Sequence, residues 1–170
     1  MTDVPQLTLI EFDQARLDDL VLMWRAGLQA AVGIIDPHPF DEHRRYVLTE
    51  VLPHNTVRLA TLGDRLVGFV AATPESVAQL HVRVGYWRRG IGTRLLAWAK
   101  AQSSGRLWLY TFERNHAARA FYERRGFVAV AHEFEPDWQL DNIRYEWSET
   151  AANEEVSVQL VSCGIRQAGE

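Results

Sequence analysis

The sequence predicts a mixed α/β fold, in which a strongly twisted sheet of about six to seven strands carries helices on both faces. Three features indicate this fold. Strand-like and helix-like segments alternate in the second half, a hairpin signal lies at residues 62–65, and residues 79–100 pass from a strand through a glycine-containing turn into an amphipathic helix. Alternation of this kind places crossover helices against a sheet. The 170 residues, 47% of them hydrophobic, suffice for one domain with a sizeable core.

The first half of the chain predicts an antiparallel start. Apolar residues recur at helical spacing behind Asp13, a residue suited to cap a helix, and a segment rich in Gly and Pro at residues 33–39 breaks the pattern. The glycine-containing turn at residues 62–65 separates two strand-like runs. The predicted elements are a strand at 7–12, a helix from 13, a short helix at 41–52, and strands at 56–61 and 66–72.

The second half predicts alternating strands and helices. Ser-Ser-Gly at residues 103–105 and Gly126 are typical of helix ends. The predicted elements are a strand at 76–82, helices at about 90–103 and 115–125, a strand at 106–112, and a closing antiparallel pair at 127–134 and 142–147. Ile91, Leu95, Leu96 and Ala99 are expected to face the sheet.

Composition limits the classes of function. Cys163 is the single cysteine, so no intramolecular disulfide forms, as suits a reducing cytoplasm. The chain lacks the pattern of a signal peptide and an apolar run of the ~20 residues that a membrane helix needs. A net charge of −4 argues against a nucleic-acid binder, and the histidines lack metal-ligand spacing. We expect a cytoplasmic domain at residues 1–147, followed by a tail at 148–170 that is frayed or adds a strand.

The turn within residues 79–100 has the composition of a phosphate site. The N–H groups of a first helical turn are unpaired, and the helix dipole places positive charge there. Gly90 and Gly92 lack a Cβ, so a ligand can approach the backbone closely. No acid interrupts the basic residues of this stretch, which are Arg83, Arg88, Arg89 and Arg94.

Two common phosphate motifs fit this turn poorly. Gly85 and Gly90 have the glycine spacing of a P-loop, but Ile91 and Gly92 stand where its Lys and Ser/Thr belong. A dinucleotide fingerprint needs a third glycine where this chain has Leu95, although an acidic residue does follow about twenty residues later, at position 113. The residues alone therefore weaken the dinucleotide-binding interpretation without excluding it.

Two blocks of sequence resemble the GNAT superfamily of N-acetyltransferases. Residues 87–92, WRRGIG, resemble its acyl-CoA signature Gln/Arg-x-x-Gly-x-Gly/Ala, although Trp87 replaces the first residue. Residues 115–127, NHAARAFYERRGF, resemble its closing block Asn-x-x-Ala-x-x-Phe-Tyr-x-Lys/Arg-x-Gly-Phe. Two blocks in the right order and separation are far more specific than either alone. The resemblance covers residues 7–147, most strongly 79–127.

The resemblance implies a GNAT-like fold with acetyl-CoA as co-substrate. In such a fold the strands before and after the phosphate-binding helix splay apart, and the acyl arm enters the gap. Backbone N–H groups at residues 80–82 would polarise the thioester carbonyl. The residues expected to bind the co-substrate are Leu80, His81, Val82, Trp87, Arg88, Arg89, Gly90, Ile91, Gly92, Thr93, Asn115 and Tyr122.

The same resemblance implies roles in catalysis. Tyr122 is expected to act as the general acid that protonates the CoA thiolate. Asn115 is expected to contact the pantetheine arm or thiol, to cap its helix, or to do both.

The general base is not marked by the sequence. Many relatives carry a carboxylate on the strand before the phosphate turn, where this chain has Ser76 and Ala78. The catalytic candidates nearby are His81 and Glu113, with Glu75 as a third, and a water chain without a dedicated base is an equal alternative.

The predicted activity is transfer of an acetyl group from acetyl-CoA to the primary amine of a small molecule. We expect the two N-terminal helices and their linker to form one wall of the acceptor pocket. A protein or peptide acceptor and a non-catalytic acyl-CoA-binding regulatory module remain alternatives. A homodimer, formed through an exposed edge or the tail, also remains open.

Overall fold

The computed structural model describes residues 6–151, and its elements confirm the mixed α/β class. The helices are α1 (Leu17–Val32), α2 (Phe40–Tyr46), α3 (Leu52–His54), α4 (Ile91–Gln102) and α5 (His116–Glu123), with a 3₁₀ turn at Gln14–Arg16 and a π-helical segment at Val47–Val51. The strands are β1 (Leu7–Glu11), β2 (Thr56–Leu62), β3 (Arg65–Ala72), β4 (Val77–Val82), β5 (Arg106–Phe112), β6 (Val128–Glu135) and β7 (Leu140–Ser148). The strand considered for the tail beyond residue 155 lies outside the described residues.

The strands form two antiparallel sheets, ordered β1-β2-β3-β4 and β5-β7-β6. A parallel bridge between Ser76 and Trp108 joins them, and the Trp108 N–H donates to the Glu75 carbonyl at 3.0 Å. Past that bridge β4 pairs with β3 alone and β5 with β7 alone. The two strands therefore diverge toward the carboxyl end of β4, as the resemblance implied.

Helices cover both faces of the four-stranded sheet, as predicted. On one face, Leu20 and Val21 of α1 lie in a cluster with Leu59 and Phe69. On the other, α4 packs against β3, β5 and β7 in a second cluster. Burying one apolar stripe of each helix in this way supplies the core. The α4 residues in the second cluster are those expected to face the sheet, Ile91, Leu95, Leu96 and Ala99.

The second helix runs further than the sequence predicted. It was expected to end at residue 52, yet helical backbone continues through α3 to His54 and includes Pro53. Proline lacks an N–H, and its ring clashes with the carbonyl four residues earlier in a regular α-helix. The π-helical turn at Val47–Val51 lies just before this proline, and its wider hydrogen-bond spacing accommodates the proline ring. Within residues 6–151, no helix is both long and apolar enough to cross a membrane.

Gly68 sets the distance between β3 and α4. A Cβ at this position would lie 2.9 Å from the His81 carbonyl oxygen, 3.1 Å from Leu95 Cδ1 and 3.2 Å from Ile91 Cγ2. We expect Gly68→Ala to lower the free energy of unfolding by about 1–3 kcal/mol, because a backbone atom must move. Urea denaturation measures this loss as a lower midpoint at unchanged slope.

Gly27→Ala is the matched control for that substitution. Gly27 is also buried, but a Cβ there meets only the Val82 carbonyl oxygen at 3.8 Å, an ordinary contact. Within α1 this change is expected to be neutral, or stabilising by up to about 1 kcal/mol, because alanine favours helix. Equal losses in the two variants would contradict close packing at Gly68 as the cause.

Candidate active site

The divergence of β4 from β5 leaves backbone donors facing a gap. The Arg83 N–H donates to the Val67 carbonyl on β3 at 2.8 Å. Because successive residues of a strand direct their N–H groups to opposite neighbours, those of Leu80 and Val82 point away from β3, toward the gap. A bulge at Ala78, where Ala71 pairs with Gln79 and Ala72 with Val77, marks where the strand bends.

The start of α4 lies at the mouth of this gap. Gly90 is the cap residue, and the first helical bond runs from the Arg94 N–H to the Gly90 carbonyl at 3.0 Å. The N–H groups of the three residues between them form no bond within the described part of the chain. φ is positive at Arg88 (62°) and at Gly90 (79°) but not at Arg89, an alternation that turns N–H groups to one side. The turn is exposed and suits a diphosphate.

The basic residues of the turn separate into two roles. Arg83 donates from Nε to the Leu66 carbonyl at 2.6 Å and from Nη2 to Asp19 at 2.7 Å, so it joins α1 to the sheet. Arg88 and Arg89 lie exposed beside the helix start, and the Arg89 guanidinium lies 5.0 Å from the Tyr86 ring centre. Arg83 is therefore occupied by contacts within the fold.

Sequence reasoning missed another cation at the first turn of α4. Arg125 donates from Nη2 to Thr93 Oγ1 at 2.6 Å, and its guanidinium lies 3.8 Å from the Phe121 ring centre. Thirty-two residues separate Arg125 from Thr93, so no local pattern reveals the contact. It places a third positive side chain where an anionic ligand would lie.

Two residues of the signature have a structural role as well. The Trp87 indole Nε1 donates to the Val82 carbonyl at 2.8 Å, which ties the turn to the end of β4. A Cβ on Gly92 would lie 3.3 Å from two ring atoms of Phe121, so this glycine lets α4 and α5 pack closely. The departure at Trp87 therefore preserves the shape of the turn.

His81 is enclosed by aromatic rings. It stacks between Trp24 and Phe69, with ring centres 4.8 and 5.4 Å away, and its Nε2 lies 3.0 Å from Gln79 Oε1. Burial, with a smaller contribution from the nearby His43, lowers the pKa of His81 to about 3. The imidazole is therefore neutral at physiological pH and a weak proton acceptor.

This burial makes stability depend on pH. The pKa of His81 is 6.5 when unfolded and about 3 when folded. Below pH 6.5 the unfolded chain binds more protons, so the free energy of unfolding falls as the pH drops, until about pH 3. At around pH 5 we expect a loss of about 2 kcal/mol relative to neutral pH. Chemical denaturation across this pH range should show that the free energy of unfolding of His81→Phe depends less steeply on pH than that of the parent. An equally steep dependence would contradict the buried neutral imidazole.

Tyr122 and Asn115 lie on or beside α5. Tyr122 is 7% exposed and packs against Phe121, Phe127 and Tyr145, and burial raises the pKa of its hydroxyl. Its hydroxyl makes no hydrogen bond to another residue within 6–151, and burial is the single cause of the shift in its pKa. Asn115 caps α5, because its Oδ1 accepts from the Ala118 N–H at 3.1 Å.

The two acidic candidates occupy different ends of the sheet. Glu113 follows β5, is half exposed, and has Oε1 3.9 Å from His132 Nδ1. Glu75 lies in the turn before β4, where its carbonyl accepts from Trp108. Glu75 thus stands at the end of β4 opposite Val82, about 20 Å away at 3.3 Å per residue.

A buried polar cluster was also missed. Asp36 is 7% exposed and holds His38, His43 and Arg25 around its carboxylate. No pattern in the sequence indicates this cluster, since Asp36 lies in the irregular linker before α2. Within residues 6–151, no group of three metal-ligating side chains is arranged to hold a metal ion.

A sheet that divides beside a helix start with unpaired N–H groups is the arrangement of a protein that binds a phosphate-bearing ligand. The reactive end of the ligand then lies between the two diverging strands. The profile of the acetyltransferase (GNAT) family matches residues 21–127, and the chain belongs to that family. A search of curated proteins finds no match to the sequence.

Solved structures share the fold. The apo form of YjaB from Escherichia coli superposes with a TM-score of 0.70 at 19% identity, covering 84% of this chain and 97% of that one. The PaiA N-acetyltransferase from Thermoplasma acidophilum, in complex with coenzyme A, gives 0.65 at 16% identity over 84% and 99%. YncA, a putative acetyltransferase from Salmonella typhimurium with acetyl-CoA, gives 0.62 at 15% identity over 84% and 94%.

Family membership makes the chain an acyl-CoA-dependent acetyltransferase with acetyl-CoA as co-substrate. The residues fit this ligand. An added Cβ at Gly90 would meet no atom within 4 Å, so the backbone there is open to a diphosphate. The three unpaired N–H groups that follow Gly90 are the donors such a ligand needs.

Proposed function

We propose that the protein transfers the acetyl group of acetyl-CoA to the primary amine of a small molecule by direct attack. The observation that carries this proposal is the juxtaposition of two sets of free donors. The N–H groups of Leu80 and Val82 face the gap between β4 and β5, and those of residues 91–93 face its mouth. One set suits a thioester carbonyl and the other a diphosphate.

The chemical step follows from these positions. The amine nitrogen forms a bond to the carbonyl carbon and loses a proton to a general base or to water, while the backbone donors of β4 stabilise the negative charge on oxygen. The carbon–sulfur bond breaks, and the thiolate takes a proton from the Tyr122 hydroxyl. Burial raises the pKa of Tyr122, which keeps it protonated until the thiolate forms, although it also makes the proton harder to give. A proton from water then restores the Tyr122 hydroxyl.

The acceptor side favours a cationic amine. There α1 and the linker that follows it meet the β6–β7 hairpin, with the His38 and Trp138 ring centres 5.3 Å apart. Burial raises the pKa of Tyr46, which is 47% exposed, and the carboxylates of Glu50 and Glu135 raise it further. A half-exposed aromatic ring beside two carboxylates attracts an ammonium group.

The test is thiol release from acetyl-CoA by the purified protein. Tyramine, spermidine and a short peptide with a free α-amine serve as acceptors, and calorimetry measures acetyl-CoA binding separately. We expect turnover with a small amine at a higher kcat/KM than with the peptide. A faster peptide would make the protein a peptide acetyltransferase, and binding without turnover would make it a regulatory module. The absence of both turnover and acetyl-CoA binding would falsify the proposal.

We also propose that the enzyme works in the cytoplasm, on the ground that Cys163 is its single cysteine. Fractionation of cells that produce the protein is expected to recover it with cytoplasmic markers. Recovery in a membrane or external fraction would contradict this.

A further inference from the structure

The buried Asp36 carboxylate organises three elements of the acceptor wall. Its Oδ2 lies 2.9 Å from His43 Nδ1 on α2 and 3.2 Å from Arg25 Nη1 on α1. Its Oδ1 lies 3.0 Å from His38 Nδ1 and 2.9 Å from the His38 N–H in the linker. The side chain of Asp36 is 2% exposed, so these contacts replace its hydration.

This arrangement fixes the tautomer of both histidines. An ionised carboxylate only accepts hydrogen bonds, so each Nδ1 that faces Asp36 must carry a proton. When the ring is neutral, each Nε2 then holds a lone pair and can accept a proton. A carboxylate orients a catalytic histidine in the same way in hydrolytic triads.

The two histidines differ in where their free nitrogens lie. His38 has 40% of its side chain exposed and packs against Trp138. His43 is 6% exposed, and its ring meets the edge of Trp24 at 4.3 Å, while Trp24 stacks on His81 of β4. His43 and His81 of β4, the strand whose donors face the gap, therefore contact the same Trp24 ring.

The Nε2 atom of His43 forms no hydrogen bond with another residue of the range 6–151, while Nδ1 is held by Asp36. The side chain is 6% exposed, so Nε2 is the ring nitrogen left to meet a small molecule or water. The Nε2 atom of His81 is not free in this way, because it lies 3.0 Å from Gln79 Oε1.

We infer that His43 Nε2 accepts the proton of the attacking amine, directly or through one water, and that Asp36 positions it. This inference rests on the proposed acetyl transfer. The amine loses its proton to Nε2 as the carbon–nitrogen bond forms, the carbon–sulfur bond breaks, and the thiolate gains a proton from Tyr122. The imidazolium that results is stabilised by Asp36 and passes its proton to water.

Burial, more than any neighbouring charge, favours the neutral form of His43 before the reaction. Burial lowers the pKa of His43, Asp36 opposes this, and Arg25 and His38 lower it further. His81 faces it from β4 and stays uncharged near neutral pH. An imidazole with a pKa below 6.5 is free to accept a proton at physiological pH, and acid removes that capacity.

His43→Gln and His38→Gln form a matched pair, since each glutamine amide can still donate to Asp36. We expect His43→Gln to lower kcat about 10²-fold, to leave acetyl-CoA affinity within about twofold, and to abolish the fall in kcat on the acid side. His38→Gln, a change in the acceptor wall, is expected to alter KM for the amine and to keep the fall in kcat on the acid side. Rates are measured as thiol release with the fastest amine of the panel, or with water as acceptor.

Nitrogen-15 NMR of the wild-type histidines provides a readout that needs no acceptor. We expect the Nδ1–H tautomer of His43 at neutral pH, with a pKa below 6.5. The Nε2–H tautomer, an unchanged rate in His43→Gln, or an acid limb that survives in that variant would each overturn the inference. Failure of the acetyl-transfer proposal looks different, because the wild-type protein would then neither bind acetyl-CoA nor release thiol.

Discussion

Gly90→Val is expected to weaken acetyl-CoA binding by about 10²-fold. The backbone at Gly90 has φ = 79°, a conformation that costs a β-branched residue about 2 kcal/mol or more. No atom lies within 4 Å of an added Cβ, so valine fits sterically, and the expected loss comes from its backbone and from side-chain atoms at the helix start. Calorimetric titration with acetyl-CoA measures this loss.

Gly85→Val separates the helix start from general strain in the turn. Gly85 has φ = 87° and also has open space around it, but it lies five residues earlier and does not cap α4. Both variants are expected to lose about 1–3 kcal/mol of stability. Only Gly90→Val is expected to lose affinity beyond about threefold. Equal losses of affinity would mean that the order of the whole turn matters, and that the N–H groups after Gly90 do not hold the ligand.

The elements predicted most accurately are those whose signals are local. The strand at 106–112 matches β5 at both ends, and the helix predicted at 90–103 is observed as Ile91–Gln102. Gly90 and Ser103 flank the helix, Gly105 precedes the strand, and each element has a clear hydrophobic period, so short-range signals define both. The position of the open helix start follows from the same signals.

The separation into two sheets was implied only by the resemblance. Alternation along β4 and β5 predicts strands but not which strands pair, because pairing depends on residues far apart in sequence. The single bridge between Ser76 and Trp108, with the bulge at Ala78, decides where the sheet opens. No hydrophobic period marks either feature.

The side-chain contacts of the site were the least predictable. Arg83 reaches Asp19 across 64 residues, and Arg125 reaches Thr93 across 32. Asp36 lies in a segment that predicts only a break between helices, yet it is the buried centre of a cluster formed by α1, the linker and α2. A buried carboxylate must be paired, but its partners follow from how the helices pack.

Tyr122→Phe is expected to lower kcat by about 10²–10⁴-fold with little change in acetyl-CoA affinity. The substitution removes the proton that we propose for the leaving thiolate, a contribution of the size usual for general acids. It keeps the aromatic packing against Phe121, Phe127 and Tyr145. Because the Tyr122 hydroxyl bonds to no described residue, stability should stay within about 0.5 kcal/mol. Steady-state thiol release and thermal unfolding measure the two quantities.

Tyr145→Phe is the control for this substitution. Tyr145 is fully buried on β7, donates to Glu123 Oε1 at 2.6 Å and accepts from Arg119 Nε at 3.2 Å. Loss of the Tyr145 hydroxyl is expected to lower the free energy of unfolding by about 1–3 kcal/mol, because its hydrogen bonds to charged groups are lost. The kcat of this variant should stay within about threefold of the parent. If Tyr122→Phe acetylates as fast as the parent, the thiolate takes its proton from water, and the raised pKa of Tyr122 reflects core packing alone.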